Sequence, residues 1–242
     1  MWPRGVRILY TVVAAVAVAA SSVVHAPSVD AGAWSSTARP PVVVVGDSLT
    51  AENAVQIDAH LRGAGVDGVH LAGLGGRRID VDYEFFGWNN SGRDEIDRLR
   101  RAGHDPLVWL IELGTNDLRE LAACGCDDPA ARASRLIDVI LSAVGGDSDV
   151  VWVTVHDRDA PVASAVFNSE LQRRAALGHI DALADWDGLA STGSGWFRDH
   201  VHPNHIGAAA LAGVYVEAID GYFERQAMNP LERVRVRLTT YM

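Results

Sequence analysis

Five short, continuously apolar runs separated by stretches of helical spacing restrict the fold of this chain more than any other feature. The runs cover residues 42–45, 66–72, 107–113 and 150–155, with a weaker one at 180–184. Each is too short for a buried helix and lacks polar alternation, so each reads as a strand covered on both faces. Helices are expected at roughly 51–61, 93–102, 129–144 and 163–176, with a last one at 204–223. Strands alternating with helices imply right-handed βαβ crossovers and a parallel sheet. The expected fold class is α/β, a three-layer α/β/α domain with a five-stranded parallel sheet.

The 242 residues suffice for one sizeable core. Ahead of the first strand, Arg4 and Arg7 precede an apolar run at 8–20, and Val24-His25-Ala26 follows. Basic head, apolar middle and small residue at the cut describe a secretory signal peptide over residues 1–26. The apolar run is shorter than the ~20 residues of a spanning helix, which favours cleavage near Ala26 over an uncleaved anchor. A membrane is a partner only in the second case, and the expected location is secreted or at the cell envelope. Residues 27–40 are rich in Ser, Ala and Pro and read as a linker, and residues 41–225 as the folded domain. Residues 226–242 form a tail whose Val234 to Leu238 alternation fits an edge strand, an amphipathic segment or disorder. Residues 77–92, with Tyr83, Phe85, Phe86 and Trp88, have no clear period and read as a rim loop or as packed irregular structure.

The formal charge of -10 argues against a nucleic-acid partner, since a phosphate backbone calls for the opposite sign. The two cysteines, Cys124 and Cys126, could pair in an exported protein. So small a ring pins one loop and cannot staple a fold.

An open parallel sheet collects its functional groups at the carboxyl ends of its strands. The first run ends in Gly46-Asp47-Ser48, where a serine beside a helix N-terminus is either a nucleophile or a helix cap. The second ends in Gly73-Leu74-Gly75-Gly76, where a backbone N–H can approach a ligand with no Cβ in the way. A dinucleotide fingerprint fails there, because Arg78 stands where the third glycine belongs. The third ends in Gly114-Thr115-Asn116-Asp117, and the Asn116 amide can donate to a developing oxyanion or form an Asx-turn. Before the last helix comes Asp199-His200-Val201-His202. An Asp three residues before a His can orient the ring so that it accepts the serine proton. The four pieces are expected at four successive strand exits.

Together these blocks resemble those of the SGNH (GDSL-type) hydrolase family: G-D-S, a glycine after the second strand, G-x-N-D and D-x-x-H. The resemblance covers residues 41–225. It implies a flavodoxin-like sheet, Ser48 as nucleophile, His202 as base and Asp199 as its orienting group. It also implies an oxyanion hole made by the Ser48 and Gly76 N–H groups and the Asn116 amide, with Gly75 as the one-residue alternative to Gly76. The segment from Asp185-Trp186 through Trp196-Phe197 to His202 is similar to the SGNH domains attached to envelope O-acyltransferases, although these residues include no multi-span membrane portion. A small acyl ester, on a small molecule or on a glycan or lipid, is the implied substrate. The serine route calls for neither metal nor other cofactor.

A second signature, Gly146-Asp147-Ser148, falls before a strand and so at the opposite rim, where it reads as turn chemistry. Two rival readings stand beside the esterase. His200, His202 and His205 are spaced like part of a zinc hydrolase site. Trp88 and Trp196 could be sugar-stacking platforms of a non-catalytic carbohydrate-binding module.

Overall fold

The computed structural model describes residues 39–81, 90–123, 125, 128–228, 236 and 239–241. The expected signal peptide, residues 27–38 of the linker, Tyr83 to Trp88 of the rim loop, Cys124, Cys126 and most of the tail lie outside them.

All five expected strands form: β1 (Val42–Gly46), β2 (Val69–Gly73), β3 (Val108–Glu112), β4 (Asp149–Val153) and β5 (Ala182–Ala184). They pair in parallel in the order β2-β1-β3-β4-β5, the flavodoxin-like arrangement, which places the reversal of strand order between β1 and β3. The helices are α1 (Ser48–Glu52), α2 (Ala54–Gly63), α3 (Gly92–Arg101), α4 (Leu118–Ala123), α5 (Pro129–Val144), α6 (Pro161–Ala176), α7 (Trp186–Thr192) and α8 (His205–Ala227).

The four consecutive valines of β1 are all buried because successive side chains of a strand enter opposite layers. Val43 and Val45 join Trp109, Ile111 and Trp152 in a core capped by Ile96 of α3, Ile137 of α5 and Phe167 of α6. Val42 and Val44 join Leu110 and Val151 in a second core against Ile57 of α2, Trp186 of α7 and Leu211 of α8. This two-sided burial is why the runs carry no polar alternation.

Four details differ from the sequence expectation. The second strand begins at Val69, and as an edge strand it is only half covered, its Ala72 alone being buried. The helix expected at 51–61 starts at Ser48 and is broken at Asn53, whose side-chain amide donates to the Leu49 carbonyl at 2.7 Å and so ends α1. The sequence expectation contains neither α4 nor α7, although Asp185 caps α7 by accepting the Gly188 N–H at 3.0 Å. Of the tail, the described positions 236 and 239–241 are helical, and the Tyr241 hydroxyl accepts the Leu183 N–H of edge strand β5 at 3.1 Å.

Candidate active site

The turn after β1 is built for close approach. A Cβ on Gly46 would overlap the Thr50 hydroxyl and lie 2.8 Å from a Glu112 carboxylate oxygen. Asp47, not Ser48, caps α1, its Oδ1 accepting the Leu49 N–H at 2.9 Å. Ser48 is thereby the first helical residue. Its hydroxyl lies 2.9 Å from His202 Nε2.

The loop between α7 and α8 folds around Asp199. Its Oδ1 accepts the N–H groups of Val201 at 2.8 Å and His202 at 2.7 Å, and its Oδ2 stands 2.8 Å from His202 Nδ1. Burial pushes this carboxyl up, but the two N–H groups and the His202 ring together hold it well below the usual carboxylate range. An ionised carboxylate can only accept, so Nδ1 carries the ring proton and Nε2 is left to accept from Ser48. Ser48, His202 and Asp199 thus form one hydrogen-bonded chain.

After β2, Arg77 N–H bonds to the Leu74 carbonyl at 3.1 Å and closes a turn in which Gly76 takes φ +74°. A positive φ at the third turn position favours glycine, and Gly76 rather than Gly75 holds it. After β3, Gly114 takes φ +123°, and a Cβ there would sit 2.7 Å from the Phe167 ring. A short 3-10 turn, Thr115–Asp117, then aims Asn116 inward. Asn116 Nδ2 donates to Asp47 Oδ2 at 2.9 Å and to the Arg77 carbonyl at 3.2 Å. Asp117 binds this turn back to the β2 exit by accepting the Ile79 N–H at 3.2 Å and pairing with Arg78 at 3.3 Å. The N–H groups of Ser48 and Gly76 have no acceptor among the described residues.

Two charged residues that the sequence reading did not single out lie beneath the site. Glu112, 3% exposed, accepts through Oε2 from the Asp47 N–H at 3.1 Å, the Thr50 N–H at 3.2 Å and the Thr50 hydroxyl at 3.0 Å. Burial, reinforced by the Asp47 charge, pushes Glu112 well above the glutamate range, and burial lifts Asp47 to about 6. Arg77, 4% exposed, donates to the carbonyls of Gly46 at 2.9 Å and Asn90 at 3.1 Å, and also to that of Ala72. It therefore clasps the carboxyl ends of β1 and β2. A glutamate ending an otherwise apolar strand was the available signal for Glu112; nothing in the local sequence marks Arg77.

Ser48, Gly76 and Asn116 do follow β1, β2 and β3, but the fourth piece is not at a strand exit. Asp199 and His202 come after both β5 and α7, and β4 delivers none of the four. The physical reason is α7, which the chain builds before it returns across the rim. Ser148 immediately precedes β4, at the amino edge of the sheet. His200 faces Asp159 at 3.7 Å and Asp157 at 4.0 Å, and His205 is the first residue of α8. Among the described residues no group of three potential metal ligands converges. Trp196 packs against the second core and over Gly193 and Gly207, and Trp88 lies outside the described residues.

No protein-family model and no curated protein sequence matches the chain. Solved structures do. The C-terminal catalytic domain of peptidoglycan O-acetyltransferase A from Streptococcus pneumoniae, solved with a methylsulfonyl adduct, aligns over 78% of this chain and 97% of its own at 15% identity and a TM-score of 0.56. A lipolytic G-D-S-L family protein from Veillonella parvula aligns over 74% and 98%, at 17% identity and a TM-score of 0.57. A carbohydrate acetylesterase family member from Sinorhizobium meliloti aligns over 77% and 100%, at 15% identity and a TM-score of 0.60. With its five parallel strands in this order and helices on both faces, the chain has the fold of the SGNH (G-D-S-L) hydrolases.

Proposed function

We propose that this chain is an exported serine esterase that hydrolyses small acyl esters, acetyl before long chain, on envelope glycans or glycolipids. The observation that carries the reading is the 2.9 Å approach of the Ser48 hydroxyl to a histidine whose other nitrogen is held by Asp199. Ser48 Oγ attacks the acyl carbon as its proton passes to His202 Nε2. The new oxyanion meets the Ser48 and Gly76 N–H groups and the Asn116 amide, which turns from the Arg77 carbonyl toward the stronger, charged acceptor. His202 then protonates the departing alcohol, leaving Ser48 acylated. Water attacks that ester as His202 takes its proton, and His202 then returns the proton to Ser48 Oγ as the acyl–oxygen bond breaks and the acid leaves.

The acetyl preference is supported by the acetylesterase and acetyltransferase among the similar structures. Export is supported by the basic and apolar pattern of residues 1–26. The likeness to an O-acetyltransferase domain also favours a second reading, in which a sugar hydroxyl replaces water and the product is an acylated sugar.

The test is ester hydrolysis by the wild-type and Ser48→Ala proteins, with and without exhaustive chelation, followed by mass spectrometry after treatment with a sulfonyl fluoride. Hydrolysis that survives EDTA, disappears in Ser48→Ala and is blocked by one sulfonyl group on Ser48 is expected. Loss on chelation with rescue by zinc favours the His200, His202 and His205 site instead. With a sugar acceptor added to the assay, an acylated sugar as main product makes the protein a transferase.

A further inference from the structure

In acyl transfer to a serine, the leaving oxygen must face the imidazolium that protonates it, whereas the carbonyl oxygen faces the oxyanion donors. The alcohol half of the ester therefore departs on the His202 side of Ser48, away from the Gly76 and Asn116 turns. A cavity of about 530 Å³, within the usual size of a ligand site, adjoins Glu52 and the residues that flank His202 in the chain. Its walls come from α1, α2 and the chain around His202, and include Glu52, Gln56, Arg198, Pro203 and His205. Neither the Gly76 and Asn116 turns nor Ser48 and His202 themselves line it, and Glu52 is its link to the triad.

Resting on the esterase reading, we infer that this groove is the alcohol subsite and that it selects a polyhydroxyl alcohol, a sugar ring bearing a free hydroxyl beside the esterified one. Glu52 lies one helical turn after Ser48 and so on the same face of the chain. Its Oε1 is 4.0 Å from His202 Nε2, the nitrogen that faces Ser48. Arg198 pairs with the other oxygen, Oε2, and donates its Nε to the Pro203 carbonyl at 3.1 Å, which holds the Glu52 carboxylate toward the histidine. With the ester oxygen at Nε2, a hydroxyl on the neighbouring carbon reaches Oε1 and donates to it. Gln56, Arg198 and His205 supply further polar groups along the wall. The one branched aliphatic side chain there, Val55, is 85% exposed and forms no slot. An aryl or alkyl alcohol would cover a carboxylate and a guanidinium without replacing their water, which disfavours it.

The experiment compares kcat/KM on two acetyl esters, a monoacetylated methyl glycoside and phenyl acetate, for the wild type, Glu52→Ala and Gln56→Ala. Glu52→Ala is expected to lower the glycoside-to-phenyl ratio by about 10-fold, the loss of one hydrogen bond to a charged group, and Gln56→Ala by about 3-fold, the loss of a neutral one, both mainly through KM. The peracetylated glycoside, which has no free hydroxyl, should show no such sensitivity to Glu52→Ala. A ratio unchanged in both variants while turnover persists overturns the subsite and leaves the esterase standing. No turnover of either ester by folded wild type, with Ser48 unmodified by the sulfonyl fluoride, overturns the esterase and the subsite with it.

Discussion

Asp199 holds His202 at two points, the backbone N–H at 2.7 Å through one carboxylate oxygen and ring Nδ1 at 2.8 Å through the other. A ring clamped at its own backbone and at Nδ1 has little freedom except to present Nε2 to Ser48. Position and tautomer thus depend on one side chain.

Asp199→Asn should therefore preserve the fold and lower kcat by about 10³ to 10⁴, as an amide in this place favours the wrong tautomer. Its thermal transition should stay within a few degrees of wild type, since the carboxylate is half-exposed. Ser148→Ala, at the other edge of the sheet, should leave the rate unchanged. Loss of activity in Ser148→Ala with retention in Asp199→Asn would refute this assignment of the site.

Glu112 gives a pH prediction. Its folded pKa is raised, so between about pH 4.3, where the unfolded glutamate titrates, and the higher folded value the native state binds more protons and stability falls as pH rises. Asp47, raised to about 6, adds to the same fall. Glu112→Gln keeps an acceptor for Thr50 and Asp47 but cannot ionise, so urea melts from pH 4 to 8 should show a smaller decline than wild type. Glu112→Ala leaves those donors unmet and should cost about 1–3 kcal/mol at pH 5. A steeper decline in Glu112→Gln would contradict a buried, proton-retaining carboxyl.

Arg77 links the three proposed oxyanion donors: its guanidinium holds the Gly46 carbonyl ahead of Ser48, its own carbonyl meets Asn116, and it follows Gly76. Arg77→Met should lower kcat more than it raises KM, and should destabilise by about 1–3 kcal/mol through the unmet carbonyls. Arg77→Lys should not restore activity, because the three donors of an ammonium radiate from one nitrogen and cannot span the Asn90 carbonyl and the Gly46 and Ala72 carbonyls as Nε and Nη1 of the planar fork do. Full activity in Arg77→Lys would show that charge alone is required.

Much of this protein is determined by interactions within a few residues, and that part is legible in the chain. Helix α5 runs from Pro129 to Val144 as expected because Asp128 caps it, Pro129 suits its first turn and Gly145 stops it at φ +81°. The Asp199 and His202 pairing is equally local, as are the glycine turns ahead of Ser48 and Asn116. What distant segments decide was not legible. Whether Ser48 caps the helix or stands free for His202 depends on Asp47 and on a partner 154 positions away. Asn53 divides what reads as one helix, and α7 moves the D-x-x-H loop off the strand exits. The burial of Glu112 and Arg77, and the meeting of Glu52 with Arg198 beside His202, exist only once the sheet has ordered its strands as β2-β1-β3-β4-β5. A residue's type and its near neighbours set its local conformation, but its solvent exposure and charge environment are properties of whatever the rest of the chain packs around it.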